Sequence, residues 1–187
     1  LFASYKGKPL IVWSLLLLEK SELVDEIYVA TNNKKVAALI KKEGVKKVKK
    51  IIGGGQTRYE SVKKLTQSIA KMGPKDLFMI HNAANPLATE NEMKECIKAL
   101  SSKVFGAAPA RQIYGTLKVN GATLPRQEVW ETETPQVVHA QTFLEGVKKF
   151  TSENFTDDLG VIEALGKKTA LIKASPRNRK ITTKEDL

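Results

Sequence analysis

Several polar clusters in this chain have residue types and spacings that could do chemistry. The first is Gly53-Gly54-Gly55-Gln56-Thr57-Arg58-Tyr59-Glu60-Ser61-Val62. Its three glycines allow positive φ and leave no side chain between backbone and ligand. Thr57 and Glu60 have the spacing of a capping box, which predicts a helix from Arg58 that buries Val62, Leu65, Ile69 and Met72. A glycine turn entering a helix offers N–H groups and the positive end of a helix dipole, which suits phosphate. The same residues also suit a tight β-to-α turn that binds nothing. No Gly-Lys-Ser/Thr follows, so the turn is not a Walker A loop, and it is not Gly-x-Gly-x-x-Gly.

His81-Asn82-Ala83-Ala84-Asn85-Pro86 follows an apolar run. His81 is a base, a ligand or a satisfied structural residue; His139 is far along the chain and no Cys/His zinc spacing exists. Asp157-Asp158 could hold Mg2+ through carboxylate oxygens, or Asp157 could cap the following helix. Lys180, between Arg177 and Arg179 on one side and Ile181 on the other, could neutralise phosphate or decorate the surface. Arg126, at the end of a hairpin, could clamp a phosphate in bidentate fashion.

The elements that must position these residues alternate. Pro9 suits a helix start, and 10–20 reads as a buried helix. A strand at 25–31 is followed by a helix capped at Asn32 or Asn33 and closed by Gly44. A strand at 45–52 feeds the glycine turn, whose helix runs to Met72 and ends at Gly73-Pro74. The apolar run 76–81 reads as a central parallel strand buried on both faces. Thr89-x-x-Glu92 is a second capping box, opening a helix to Leu100, before a strand at 104–110. Asn120-Gly121 between short extended runs signals a hairpin. Thr134-Pro135-Gln136 reads as a loop, 141–150 as a helix, 169–174 as a strand and 178–182 as an extended basic segment. Thr183-x-x-Asp186 looks like a further helix start. Alternating β and α elements imply a mostly parallel doubly wound sheet, with ligands at the carboxyl ends of its strands.

The 187 residues suffice for one α/β domain. A net charge of +11 suits nucleic acid, an anionic membrane or a phosphorylated small substrate. The aromatics are 6% of the chain and are not interleaved with the lysine cluster at 41–50, so no base-stacking platform is present and a nucleic-acid partner is not expected. No apolar run approaches the ~20 residues of a membrane span. The single cysteine, Cys96, cannot form an internal disulfide and fits a reducing, cytoplasmic setting. The chain opens on Leu1 and closes at Leu187, and both ends read as cut from a longer domain.

Taken in order, Gly-Gly-x-x-Arg-x-x-Ser-Val from Gly54, His-x-Ala-x-x-Pro from His81, Trp130-x-x-x-Thr-Pro-Gln, Thr156-Asp157-Asp158 with Glu163 and Gly166, and Asn178-x-Lys-Ile-Thr-x-x-x-Asp-Leu form a joint pattern. It resembles the 2-C-methyl-D-erythritol 4-phosphate cytidylyltransferase family, including relatives that use ribitol 5-phosphate. The resemblance spans essentially the whole chain.

It implies a Rossmann-like, doubly wound nucleotidyltransferase domain over 1–187 with a protruding hairpin arm at about 112–131. It implies that a substrate phosphate oxygen attacks the α-phosphorus of CTP and pyrophosphate leaves, with Mg2+ or another divalent cation present. By resemblance Gly54, Gly55, Gln56, Arg58, Ser61 and Asn82 serve the base and ribose end of CTP, with Ser61 reading the base, and Lys180 is the catalytic contact to its phosphates. Thr116, Arg126, Thr134, Asn85 and Asp157 serve the polyol phosphate, Thr116 and Arg126 reaching across a homodimer. Three departures accompany these expectations. The family's N-terminal glycine loop with its basic residues is absent, so these 187 residues alone are expected to be inactive. Asn82 stands where the family has a carboxylate associated with ribose and metal, and a neutral amide is a weaker ligand for a hard cation. Asn85 stands where it has an arginine. A catalytically impaired nucleotide-binding homologue is the alternative.

Overall fold

Residues on alternating positions of three strands settle how the layers form. In the run Leu77-Phe78-Met79, Phe78 faces one side of the sheet while Leu77 and Met79 face the other. Val137 and Val138 divide in the same way, as do Ala107 and Ala108. This is the period-2 alternation of a strand with both faces covered.

A computed structural model describes residues 1–69, 71–151, 155–183 and 185–186. The short strands β1 (Ser4–Tyr5) and β2 (Lys8–Pro9) lead into α1 (Leu10–Lys20). Then come β3 (Ile27–Ala30), α2 (Lys35–Lys42), β4 (Val48–Ile52), α3 (Arg58–Gln67), β5 (Leu77–Ile80), α4 (Glu90–Ala99) and β6 (Val104–Gln112). After β7 (Lys118–Val119) and β8 (Ala122–Thr123) follow a 3-10 turn, β9 (Trp130–Thr132), β10 (Gln136–His139), α5 (Ala140–Lys149), α6 (Leu159–Ala164) and β11 (Lys168–Lys173). The main sheet has the order β11-β6-β10-β5, with β9 also on β6, and β3 pairs with β4 in a separate ribbon.

Helices cover both faces of the main sheet, as doubly wound packing requires. On one face α3, α5 and α6 bring Tyr59, Val62, Phe143, Val147 and Ile162 against Phe78, Ala108 and Val138. On the other, Cys96 and Ile97 of α4 pack on Ala107, Val137 and Ile172. A third cluster joins Ile11, Val12 and Leu15 of α1 to Val36 and Ile40 of α2 and to Ile27. A Cβ on Gly146 of α5 would lie 2.4 Å from Val161 Cγ1, so only glycine lets α5 and α6 approach this closely.

The α/β order read from the sequence holds, with differences in detail. The sheet is mixed: β11 is parallel to β6 and β3 to β4, while β10 is antiparallel to both β5 and β6. The strand at 77–80 therefore pairs with an antiparallel neighbour rather than sitting between parallel ones. Gln136, expected in a loop, begins β10, because Val137 and Val138 are β-branched and fully buried. The helix after the glycine turn ends at Gln67 instead of Met72, although Ile69 and Met72 still pack on the core. The residue before α2 is Lys34, which makes no side-chain cap, and Asn33 Oδ1 accepts from Lys35 N at 2.9 Å, the capping bond expected of Asn32 or Asn33. Gly44 closes that helix at φ +69°, a left-handed conformation that favours glycine. Asn120 and Gly121 have φ of 49° and 84°, the type I′ geometry that their sequence calls for. The second capping box forms in full, with Thr89 and Glu92 exchanging bonds. Ala70, Lys184 and Leu187, which fall within expected elements or the C-terminal pattern, lie outside the described residues. No helix among the described residues is long and apolar enough to cross a membrane.

Candidate functional site

Arg58, the first residue of α3, joins three loops. Its Nε donates to Asn82 Oδ1 at 2.7 Å, and its two terminal nitrogens donate to Asp158 Oδ1 and Oδ2 at 2.9 and 2.5 Å. The glycine turn, the 82–86 loop and the 156–158 loop are thus tied by one guanidinium. The Asp158 side chain has no exposed surface and that of Arg58 is 28% exposed. Burial pushes the Asp158 carboxyl up from the usual range, against the pull of Arg58. Burial opposes the charge on Arg58 too, yet bonding to Asp158 leaves its pKa raised. Gln136 Oε1 accepts the N–H groups of Asp158 and Leu159 at 2.8 and 3.2 Å, satisfying the first turn of α6.

Of its two readings, the glycine turn takes that of a tight β-to-α turn over that of an anion cradle. None of Gly53, Gly54 and Gly55 has positive φ. Its N–H groups are already used: Gly54 donates to Asn32 Oδ1, Gly55 to Ser61 Oγ and Gln56 to Glu60 Oε2, at 2.9, 2.9 and 2.7 Å. Thr57 caps α3 by accepting from Glu60 N, but the Glu60 carboxylate turns to Gln56 N instead of completing the capping box. Gly55 is required for a steric reason. A Cβ there would lie 2.3 Å from Glu60 Cβ and 2.9 Å from its backbone carbonyl carbon. Ser61 Oγ also donates to Thr57 O at 3.0 Å, so the serine braces the turn.

Behind the 82–86 loop lies a buried polar network. Asn85 and Asn178 have no exposed surface, and Glu92, Glu133 and Thr134 are 2%, 5% and 3% exposed. Asn85 Nδ2 donates to Glu133 Oε2 at 2.6 Å and to Asn178 Oδ1 at 3.1 Å. Asn178 Nδ2 reaches Glu92 Oε1 and the Thr134 carbonyl at 3.0 and 2.9 Å. Arg111 donates to Glu133 Oε1 and to the Asn178 carbonyl. Burial raises the Glu133 pKa, countered by Asn85 and Arg111. Thr134 Oγ1 accepts from Asn82 N at 3.1 Å and lies 3.0 Å from His81 Nδ1. Burial drives the His81 pKa down to about 4, an Asn85 backbone group opposing and Arg58 assisting. His81 is thus neutral near pH 7, and its Nδ1 braces the Thr134 hydroxyl.

This network changes the reading of two residues expected at the substrate. Asn85 is fully buried, and its amide serves Glu133 and Asn178. Thr134 is nearly so, with its hydroxyl spent on Asn82 and His81. Both hold the loop in place, and Asn85 Oδ1 is buried with no hydrogen-bond partner among the described residues. Asn82, expected beside a metal, has its only side-chain oxygen taken by Arg58. Asp157 caps α6 through Gly160 N at 3.0 Å and accepts from Thr132 and Gln136, the capping alternative of the sequence.

Two expected groups are set apart. Thr116 and Arg126 lie on the exposed arm, where Arg126 Nη1 donates to Tyr114 O at 2.7 Å. The arm springs from β6 and β9, in the register Gln112↔Trp130, and carries Tyr114 86%, Val119 49% and Trp130 46% exposed. Lys180 is exposed beside the site loop, since the next residue, Ile181, donates its N–H to Ala84 O at 2.8 Å. Sequence reasoning missed Arg111, Glu133, Gln136 and Asp158 as partners.

A family model described as 2-C-methyl-D-erythritol 4-phosphate cytidylyltransferase matches residues 1–187. Proteins of that name from Caldicellulosiruptor bescii and Halalkalibacterium halodurans are 35% and 30% identical to this chain over 196 residues, covering 100% of it and 84% of each relative. A solved structure of a 4-diphosphocytidyl-2C-methyl-D-erythritol synthase has the same fold, with a TM-score of 0.86 at 24% identity, covering 99% of this chain and 89% of that one.

Proposed function

We propose that this chain, which belongs to the 2-C-methyl-D-erythritol 4-phosphate cytidylyltransferase family, transfers a cytidylyl group from CTP to a sugar-alcohol phosphate and releases pyrophosphate. The match over the whole chain carries this reading. Arg58 supports it, because the three loops it joins are three of the five stretches in the joint sequence pattern. The best substrate is 2-C-methyl-D-erythritol 4-phosphate, a precursor in isoprenoid synthesis, and the proposed setting is the cytoplasm.

In this reading the turn from Gly54 to Ser61 forms the wall for cytosine and ribose, with its geometry fixed before the ligand arrives. Lys180 stands free to meet the phosphates of CTP. Asp157 serves the substrate hydroxyls, its carboxylate held in place by Gly160 N, Thr132 and Gln136. Thr116 and Arg126 serve the substrate phosphate of a neighbouring subunit in a homodimer built through the arm. Little covalent chemistry falls to the protein: the phosphate oxygen forms its bond to the α-phosphorus as the bond to pyrophosphate breaks. Positioning and charge neutralisation supply the rate. A divalent cation, when bound, would be held by the hard oxygens of the triphosphate and would neutralise their charge.

The test is pyrophosphate release by the full-length protein with CTP, Mg2+ and 2-C-methyl-D-erythritol 4-phosphate, with ribitol 5-phosphate as a parallel arm. Release with the first supports the reading and release only with the second moves it to the ribitol branch. CTP binding without release from either assigns an impaired homologue, and neither binding nor release removes the reading altogether.

A further inference from the structure

The side chains around Asn82 do not fit a bound cation. Asn82 Oδ1 accepts from Arg58 Nε at 2.7 Å. A guanidinium only donates, so the amide orientation is fixed by chemistry: oxygen toward Arg58, nitrogen away from it. Arg58 is itself held, because Asp158 takes both of its terminal nitrogens and is fully buried. A metal at Asn82 would compete with a fixed positive charge for one neutral oxygen. The neighbouring carboxylates offer no alternative, since Asp158 is spent on Arg58 and Asp157 accepts from Gly160, Thr132 and Gln136. Among the described residues no group of three or more His, Cys, Asp or Glu could hold a metal ion.

The rest of Asn82 is committed as well. Its N–H goes to Thr134 Oγ1 at 3.1 Å and its carbonyl accepts from Asn85 N at 2.9 Å. What remains is Nδ2. Its two N–H groups find no acceptor among the described residues, and the atom is not sealed away from solvent. An amide with its oxygen anchored and its nitrogen open is a donor of fixed direction.

We infer that Asn82 is a dedicated hydrogen-bond donor to an oxygen of the bound nucleotide, aimed by the positioning residues Arg58 and Asp158, with no cation between them. The inference rests on the cytidylyltransferase reading for the identity of the nucleotide. It converts a position that the family resemblance ties to metal into one that reads an acceptor directly. The acceptor is a ribose hydroxyl or the first phosphate, and the two share the chemistry of an oxygen lone pair.

Calorimetric titration of the full-length protein tests it, with CTP in Mg2+ and with CMP and cytidine in EDTA. Wild-type protein is expected to bind CMP equally, within about twofold, in EDTA and in Mg2+. Asn82→Ala should weaken CMP about tenfold, as loss of one such bond does. Arg58→Lys keeps the charge but loses the fork, and should weaken CMP to a similar degree. The double variant should be no worse than the weaker single one, because both changes remove one aimed donor. A loss shared by cytidine places the acceptor on the sugar, and a loss confined to CMP places it on the phosphate; either supports the inference. CMP binding that needs Mg2+, an Asn82→Ala protein that binds as wild type does, or single effects that simply add would each overturn it. Asn82→Ala alone decides if Arg58→Lys does not fold. A wild-type protein that fails to bind CTP removes the cytidylyltransferase reading and this inference together, whereas CTP binding indifferent to Asn82→Ala removes the inference alone.

Discussion

Arg58 and Asp158 stand 100 residues apart in the chain and are joined by two parallel hydrogen bonds between guanidinium and carboxylate. The pair is buried on the Asp158 side, so removing one partner strands the other. Asp158→Ala is expected to lower stability by about 3–5 kcal/mol, the usual loss when a buried pair is broken. Urea denaturation checks this, and a loss below about 1 kcal/mol would mean that the pair is only decorative.

Stability should also depend on pH through His81. Its folded pKa of about 4 lies below the ordinary 6.5. The unfolded chain therefore binds the proton first as pH falls. The contribution is fully present above pH 6.5 and is lost as pH drops through 4, amounting to about 3 kcal/mol. Asp158 and Glu133, whose pKa values are raised, act in the opposite sense in both proteins compared. The difference in urea midpoint between wild type and His81→Gln, followed from pH 7 to 4, isolates the histidine. A difference that does not change across that window contradicts it.

Gly55→Ala places a methyl group against Glu60 Cβ and backbone. The turn must open, and the bond from Gln56 N to Glu60 is lost with it. We expect a loss of about 1–3 kcal/mol, typical of overpacking, together with a raised KM for CTP. Thermal melting and steady-state kinetics measure the two effects; an alanine variant indistinguishable from wild type in both would show that the turn is soft.

Lys180 is exposed and structurally uncommitted in its side chain among the described residues. Lys180→Ala should cut turnover about 100-fold, the scale of one lost charge-stabilising contact. Its melting temperature should not change. Equal turnover would remove Lys180 from the catalytic set.

Tyr114, 86% exposed on the arm, is the natural probe of the proposed homodimer. Tyr114→Asp is expected to shift the protein from dimer to monomer in analytical ultracentrifugation and to lower activity with it. An unchanged dimer places the subunit contact elsewhere.

Local signals in the chain were enough for the elements that depend on near neighbours. The capping at Thr89 and Glu92, the Asn120-Gly121 turn and the Gly44 terminus each involve residues within a few positions of one another. The direction of β10 was not legible, because Val137-Val138 suits either orientation and only its pairing with β5 and β6 decides. The glycine turn was placed correctly but explained by the wrong physics. Close approach of Glu60, not positive φ, demands glycine at position 55. Asn85 and Asn178 look like loop residues in sequence. Their burial depends on each other and on Glu92 and Glu133, partners that no local window contains.

That same buried network sets an order of events in time. Asn85 meets Glu133 and Asn178 at separations of 48 and 93 residues. The entropy of closing such loops grows only slowly with their length, but the partner must exist before the loop can close. On the ribosome, where a chain emerges at about 5–20 residues per second, the 82–86 loop cannot take its final form until Asn178 has left the exit tunnel. The helices behind the loop can form early, but the loop that carries Asn82 is among the last parts of the molecule to be fixed.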